Sequence, residues 1–97
     1  MEPFALEDFA DAAGAAFSVA AGDAQFELTL EIAEPLPTPA PAGSFRLEFR
    51  GPFEPVLPQA IYNFRREADS FDIFVVTIGR GETGTQYEAV FTRLPTA

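Results

Sequence analysis

Alternation of apolar and polar residues is the main pattern along the chain. In residues 25–34, every second side chain from 26 to 32 is apolar, and most of the others are polar or charged. Successive side chains of a strand point to opposite faces, so this run predicts an antiparallel strand with one buried face. The buried face of that strand would carry Phe26, Leu28, Leu30 and Ile32. Similar runs predict five more strands, at residues 16–20, 44–50, 61–65, 71–78 and 86–92.

Two segments depart from simple alternation. Near the N-terminus an apolar residue recurs at the spacing of one helix face, at Leu6, Phe9 and Ala13. Gly14 is a typical helix end, so we expect a short helix over about residues 5–13. The run 71–78 is apolar on both faces, which predicts a central strand or a strand that the helix covers.

These elements define a fold class. A chain of 97 residues is long enough for one domain, and we expect a single domain over residues 1–97 that ends in a tail at 93–97. Closely spaced strands predict an all-β, mainly antiparallel fold: a six-stranded small sandwich or barrel with one short N-terminal helix. The 11 phenylalanines fit this class, because each buried ring contributes a large apolar area to closely packed sheet faces.

Two irregular segments interrupt the strands. Residues 35–43 are a proline-rich loop in which every second position from 35 to 41 is proline, so polyproline II is the expected backbone. In the segment 51–59, we expect Phe53 and Leu57 to plug an open end of a barrel. Stiff loops lose little entropy on binding, so both segments suit contacts with another protein. The alternative is a rigid hairpin cap for the first segment and a strand crossover for the second.

A pair of adjacent arginines adds to the candidate binding residues. Arg65 and Arg66 could receive a carboxylate or a phosphate through paired hydrogen bonds, or could lie on a solvated strand end. The full set of candidate partner-binding residues is Pro35, Leu36, Pro37, Pro39, Pro41, Phe53, Leu57, Arg65 and Arg66.

The composition restricts the available chemistry. The chain has 15 acidic residues and 6 basic ones, all of them arginine, for a net charge of −9. Nucleic-acid binding is not expected, since binders gather positive charge on one face. Without His, Cys or Lys there is no thiolate, no histidine base, no Cys/His zinc site and no phosphate-loop lysine. We therefore expect no catalytic, cofactor-binding or metal-binding residues and no enzyme activity.

Carboxylates and tyrosines are the remaining reactive side chains. The outward positions of the strands at 25–34 and 44–50 carry glutamates and arginines, which predicts cross-strand ion pairs. An enzyme would require two or more of a small set to meet in one cleft. That set is Glu31, Glu34, Glu48, Tyr62 and Tyr87.

Membrane insertion is not expected from the sequence. The longest apolar run lies near residues 74–76, far short of the roughly 20 residues that span a bilayer. The first residues lack the basic and long apolar regions of a signal peptide, so we expect synthesis in the cytoplasm.

Several short motifs together resemble a known family. In order, they are Leu6-Glu7-Asp8-Phe9, Phe49-Arg50-Gly51-Pro52, Leu57-Pro58-Gln59, Phe74-Val75-Val76-Thr77-Ile78-Gly79 and Tyr87-Glu88-Ala89-Val90-Phe91. Over about residues 4–91, the chain resembles a family of small bacterial proteins known as a domain of unknown function. The resemblance implies a neighbourhood of phage-tail-like collar or fibre proteins and no catalytic residues. The chain departs from it at Thr77, where members tend to have proline, and in the extra tail 94–97.

Three functional hypotheses follow. The first is a non-catalytic structural or interaction module, an accessory subunit of a phage-tail-like or surface-fibre assembly, which binds a protein partner or its own copies. Exposed sheet edges would then offer sites for strand addition. Its final location would be extracellular or within the assembly. The second is a carrier of a small apolar ligand in the barrel mouth near residues 51–59. The third is an enzyme that uses carboxylates or tyrosine.

Overall fold

Six antiparallel strands close into a barrel in the computed structural model, which describes residues 6–37 and 39–92. The elements are α1 (Glu7–Ala10), β1 (Ala16–Ala21), β2 (Ala24–Pro35), β3 (Phe45–Gly51), β4 (Ala60–Arg66), β5 (Asp69–Arg80) and β6 (Thr85–Phe91). The strand order is β1-β2-β3-β6-β5-β4, and β4 pairs back onto β1. The all-β, six-stranded prediction is confirmed, and the barrel is the form that the chain adopts. The expected tail 93–97 lies outside the described residues.

The helix is a single turn, shorter than the expected segment 5–13. After it, the chain turns and joins the sheet instead of continuing as helix. The backbone N–H of Gly14 donates to the carbonyl of Leu30 at 2.7 Å, and the N–H of Leu30 donates to the carbonyl of Ala15 at 2.9 Å. These bonds extend the pairing of β1 with β2. Gly14 makes the change of direction at a φ of 87°, a value that glycine adopts without steric cost.

Phenylalanine rings fill the interior of the barrel. The ring centroids of Phe45 and Phe91 lie 4.7 Å apart, and those of Phe49 and Phe64 lie 4.8 Å apart. At one end, Phe9 of α1 reaches Phe71 at 5.0 Å between centroids. The largest fully buried side chains are Tyr87, Phe9, Phe17, Phe45, Phe49, Phe64, Leu28, Leu30, Leu47, Ile73, Val19 and Val75.

A β-bulge in β2 changes which residues face the core. Leu30 is buried before the bulge, but Ile32 pairs beyond it with Glu48, an outward position of β3. Ala33 takes the next inward place and packs against the core. The expectation that Ile32 lies on the buried face is wrong, because the extra residue at Glu31 reverses a pattern of period two.

The strand β5 is buried on one face only, although the run 71–78 is apolar on both. Val75 is fully buried, whereas Phe74 on the outer face is 50% exposed and Ile78 is 48% exposed. The expectation that this strand is covered on both faces is wrong for the outer face. The helix does not cover it, because Phe9 inserts among inward-facing rings at the end of the barrel.

The connections divide between two ends of the barrel. The helix end is formed by α1 with the turn after it, the β2–β3 loop (residues 36–44) and the β4–β5 turn (residues 67–68). The plug end is formed by the β1–β2 turn (residues 22–23), the β3–β4 loop (residues 52–59) and the β5–β6 hairpin loop (residues 81–84). All neighbouring strands are antiparallel, so successive connections alternate between the two ends of the barrel.

Candidate functional site

The structure separates the sequence-predicted binding residues into two groups at opposite ends of the barrel. The proline loop and the arginine pair belong to the helix end, whereas Phe53 and Leu57 belong to the plug end. Even within the helix end, the two predicted segments do not adjoin. The β2–β3 loop and the β4–β5 turn are separated by β1 on one side and β6 on the other. The nine candidates therefore do not form one site.

The proline loop is folded back on itself by turns. Pro35 is the last residue of β2, opposite Phe45. The N–H of Leu36 donates to the carbonyl of Ser44, and the N–H of Ala40 donates to the carbonyl of Pro37. Polyproline II has no internal hydrogen bonds, so the expectation of that backbone is wrong for this loop. The exposed prolines of the loop are Pro35, Pro37 and Pro39, while Leu36 and Pro41 are half-buried.

The arginine pair flanks the β4–β5 turn. Arg65 is exposed and lies opposite Ser70 of β5, and Arg66 lies opposite Asp69. The guanidinium of Arg66 also approaches the Glu67 carboxylate at 3.7 Å. Because two acids accompany the two arginines, this turn is neutral in total and does not form a concentrated anion-binding site.

At the plug end, Leu57 closes the barrel mouth. Its side chain is buried, and side chains of the barrel bind both of its backbone groups. The N–H of Leu57 donates to the Tyr87 hydroxyl at 2.9 Å, and the Thr77 hydroxyl donates to the Leu57 carbonyl at 2.9 Å. The arrangement favours the plug interpretation of Leu57. Phe53 stays at the rim, where the guanidinium of Arg80 lies 4.4 Å from its ring centroid.

Two tyrosines hold the plug loop from inside the barrel. The Tyr62 hydroxyl donates to the carbonyl of Pro58 at 2.5 Å, next to the Leu57 bond with Tyr87. Burial raises the pKa of the Tyr62 hydroxyl above its ordinary value of 10.0, and the nearby Tyr87 adds to the rise. Both hydroxyl groups are thus engaged in structural hydrogen bonds with the loop backbone.

The outer wall is charged over β2, β3 and β6. The guanidinium of Arg46 meets three carboxylates, from Glu34 at 3.1 Å, from Glu88 at 3.1 Å and from Glu48. The guanidinium of Arg50 meets the Glu31 carboxylate at 2.6 Å. The predicted cross-strand ion pairs are confirmed for β2 and β3, and Glu88 extends them to β6.

Exposed apolar side chains lie side by side on the outer wall across β4, β5 and β6. Ile61 is 67% exposed, Phe74 is 50% exposed and Val90 is 51% exposed. Ile61 lies directly opposite Phe74. The register that pairs Val76 with Glu88 brings Phe74 and Val90 to the same outer face of β5 and β6. We call Ile61, Phe74 and Val90 the apolar row.

The sequence analysis did not identify the apolar row. The signal for this row is the run 71–78, which is apolar on both faces, but the pattern alone predicts burial on both sides. Closure of the barrel assigns Val75 to the inside and leaves its neighbour Phe74 on the outside.

Two further properties concern only the described residues. In residues 6–37 and 39–92, no three acidic side chains are arranged so that they could hold a metal ion. Across the same ranges, no helix has the length and apolar character required to cross a membrane.

The chain matches a known family model. A family model described as a domain of unknown function matches residues 4–91, which is nearly the whole chain. No match was found among curated proteins or among solved structures.

Proposed function

The chain belongs to the DUF6916 family, a domain of unknown function, and we propose that it is a non-catalytic interaction module that binds another polypeptide. The observation that carries the proposal is the contrast between the interior and the wall. The interior is filled with contacting aromatic rings, while large apolar side chains stand exposed on the outer surface. Exposed apolar residues that gather on one face are typical of protein-binding surfaces.

The filled interior is the reason to prefer this function to the carriage of a small apolar ligand. Ligand-binding barrels keep a cavity in the mouth or the centre. Here the mouth is occupied by Leu57, and the rings of Phe17 and Phe49 meet edge to face at 5.8 Å between centroids. A carrier would have to displace these contacts.

The engagement of the candidate reactive groups is the reason to prefer a non-catalytic role. The hydroxyl groups of Tyr62 and Tyr87 bind the plug loop, and the carboxylates of Glu34 and Glu48 share the Arg46 guanidinium on the outer wall. Groups with such structural partners are not poised for proton transfer to a substrate.

The mode of contact differs from the one expected from the sequence. Exposed sheet edges were expected to accept an added strand, but the sheet closes on itself, which removes terminal strands. Contacts through side chains of the outer wall and through the exposed loops fit a closed barrel better.

A more specific role is part of the proposal. The resemblance that the sequence motifs carry associates the family with phage-tail-like collar or fibre proteins, so the partner would be another subunit of such an assembly. The net charge of −9 and the exposed prolines of the β2–β3 loop are compatible with a subunit that binds through its surface.

The test is to isolate the tagged protein from its native host after mild cross-linking, with an untagged strain as the control. We expect it in a complex of defined stoichiometry, well above the mass of the 10.5 kDa chain. Sedimentation with large particles would support the assembly role. A strict monomer under all conditions would overturn the proposal.

A further inference from the structure

The apolar row crosses three adjacent strands and leads directly into the charged wall. Ile61 on β4 lies opposite Phe74 on β5, and Val90 on β6 lies opposite Arg46 on β3. Adjacent strands are about 4.8 Å apart, so the three apolar side chains form a continuous strip about 10 Å long. Val76, which is half-buried, follows Phe74 on the same face and widens the strip.

The rim of the apolar row is negatively charged. Asp72 precedes Phe74 by two residues on the outer face of β5 and is exposed. On the other side, three carboxylates surround the single guanidinium of Arg46. The rim therefore carries four carboxylates against one guanidinium.

The arginines of the β4–β5 turn offset this charge only in part. Arg65 lies on the outer face of β4, two residues beyond Asn63, the partner of Asp72. Arg66 is instead accompanied by Glu67 and Asp69 at the turn. With Arg65 included, the border still has four carboxylates against two guanidinium groups. The apolar row thus consists of exposed apolar side chains with a border of net negative charge.

We propose that the apolar row is the docking surface for a positively charged polypeptide segment that carries apolar side chains. This inference rests on the proposed function and specifies its surface and the chemistry of its partner. Apolar side chains of the partner cover Ile61, Phe74 and Val90, and its Lys or Arg residues face the acidic rim. Such complementarity directs the encounter and selects against acidic partners.

A second copy of the chain fits this surface less well. Two copies that met through the apolar row would also bring their acidic rims together, and each copy carries a charge of −9. Like charges placed against one another oppose association. The charge of the surface therefore favours a different, basic partner.

The first experiment measures binding of two synthetic amphipathic peptides by fluorescence anisotropy. One peptide is built from Leu and Lys and the other from Leu and Glu. We expect the Leu/Lys peptide to bind, with an affinity that falls as salt is added, and the Leu/Glu peptide not to bind. Equal binding of the two peptides would overturn the inference.

Substitutions locate the binding surface. Phe74→Thr and Val90→Thr keep side chains that suit a strand, and each is expected to weaken binding of the Leu/Lys peptide about tenfold, as for a central interface residue. Val56→Thr is the matched control, because Val56 is 52% exposed but lies in the plug loop, and it should bind like the wild type. If the Phe74→Thr and Val56→Thr variants bind the Leu/Lys peptide equally well, the apolar row is not the binding site.

A charge variant tests the rim separately. Asp72→Asn removes one negative charge beside Phe74 and keeps a side chain of the same shape. We expect weaker binding of the Leu/Lys peptide and a smaller salt dependence than in the wild type. An unchanged salt dependence would contradict the role of the rim.

Photo-cross-linking in the native host separates the failure of this inference from the failure of the proposed function. A photoreactive phenylalanine is placed at position 74, at Glu31 on the charged wall, or at Pro39 in the β2–β3 loop. An adduct at 74 whose peptide is basic and apolar supports the inference. Adducts only at Glu31 or Pro39 overturn it but leave the interaction module standing. A self-adduct at 74 shows a second copy as occupant and also overturns it, and no adduct anywhere overturns both.

Discussion

The hydroxyl of Tyr87 accepts the backbone N–H of Leu57 at a distance of 2.9 Å. Tyr87 is fully buried on β6, and Leu57 lies 30 residues earlier in the loop that closes the barrel. The Thr77 hydroxyl donates to the carbonyl of the same leucine. Leu57, which lies outside the β-ladder, thus has both backbone groups bound by side chains, and these two hydroxyl groups are among those that hold the plug loop.

Tyr87→Phe removes the acceptor for the Leu57 N–H and keeps the ring. A buried donor left without a partner costs about 1–3 kcal/mol, so we expect the free energy of unfolding to fall by that amount. Urea unfolding followed by circular dichroism measures it. Thr77→Val is expected to give a loss of similar size at the carbonyl. A change below about 0.5 kcal/mol in both variants would show that the loop does not depend on these bonds.

Stability at alkaline pH is expected to depend on Tyr62. Burial raises the pKa of its hydroxyl above 10.0, so the folded state holds this proton more tightly than the unfolded state. The associated stability is fully present below pH 10.0 and is lost as the pH rises through the folded-state pKa. Above that pH the Tyr62 hydroxyl has lost its proton and can no longer donate a hydrogen bond to the Pro58 carbonyl.

We therefore expect the free energy of unfolding to fall more steeply above about pH 10 in the wild type than in Tyr62→Phe. Urea unfolding curves at a series of alkaline pH values measure the two slopes. Tyr62→Phe should also be less stable at neutral pH because it lacks the hydrogen bond to the Pro58 carbonyl, so the test compares how the free energy of unfolding changes with pH in the two proteins. Identical slopes would contradict the assigned cause.

The strand pattern was predictable where alternation is uninterrupted. In β3, buried and half-buried positions alternate from Phe45 to Gly51 without exception, as the sequence indicates. The position of Leu57 as a plug was also expected, because an apolar side chain in a proline-rich connection requires a place to be buried. The class of fold follows from such local signals.

Features that depend on pairing could not be predicted from the local pattern. The bulge at Glu31 turns Ile32 outward, and nothing in the alternation of residues 25–34 marks an inserted residue. Likewise, the run 71–78 does not show which of its two apolar faces is inside, since barrel closure decides this. For the same reason, the apolar row can be identified only from the structure. The row is the candidate binding surface of this protein.

Arg46 is expected to stabilise the outer wall by neutralising three carboxylates. Arg46→Met keeps the aliphatic stem but leaves Glu34, Glu48 and Glu88 close together without a counter-charge. We expect a loss of about 1–2 kcal/mol at low salt, since these pairs are only partly buried. Because salt screens repulsion among exposed charges, the loss should shrink in 1 M NaCl, where the screening length is about 3 Å.

Arg65→Met is the matched control for Arg46→Met. Arg65 is exposed and lies opposite Ser70 instead of a carboxylate, so its replacement should change stability by no more than about 0.5 kcal/mol. Equal losses for both variants would show that the three glutamates do not depend on Arg46.

Phe9 and Phe74 test whether α1 closes the barrel as part of its core. Phe9 is fully buried and contacts the rings of Phe17, Phe45, Phe71 and Phe91, with centroids 5.0–6.5 Å away. Phe9→Ala leaves a cavity at the helix end and should lower the free energy of unfolding by about 3–5 kcal/mol. Phe74→Ala, the same substitution on the exposed wall, should cost less than about 1 kcal/mol. Urea unfolding measures the loss for each variant. Two small losses would mean that α1 is not integral to the core, and two large losses would mean that Phe74 is not exposed on the wall in solution.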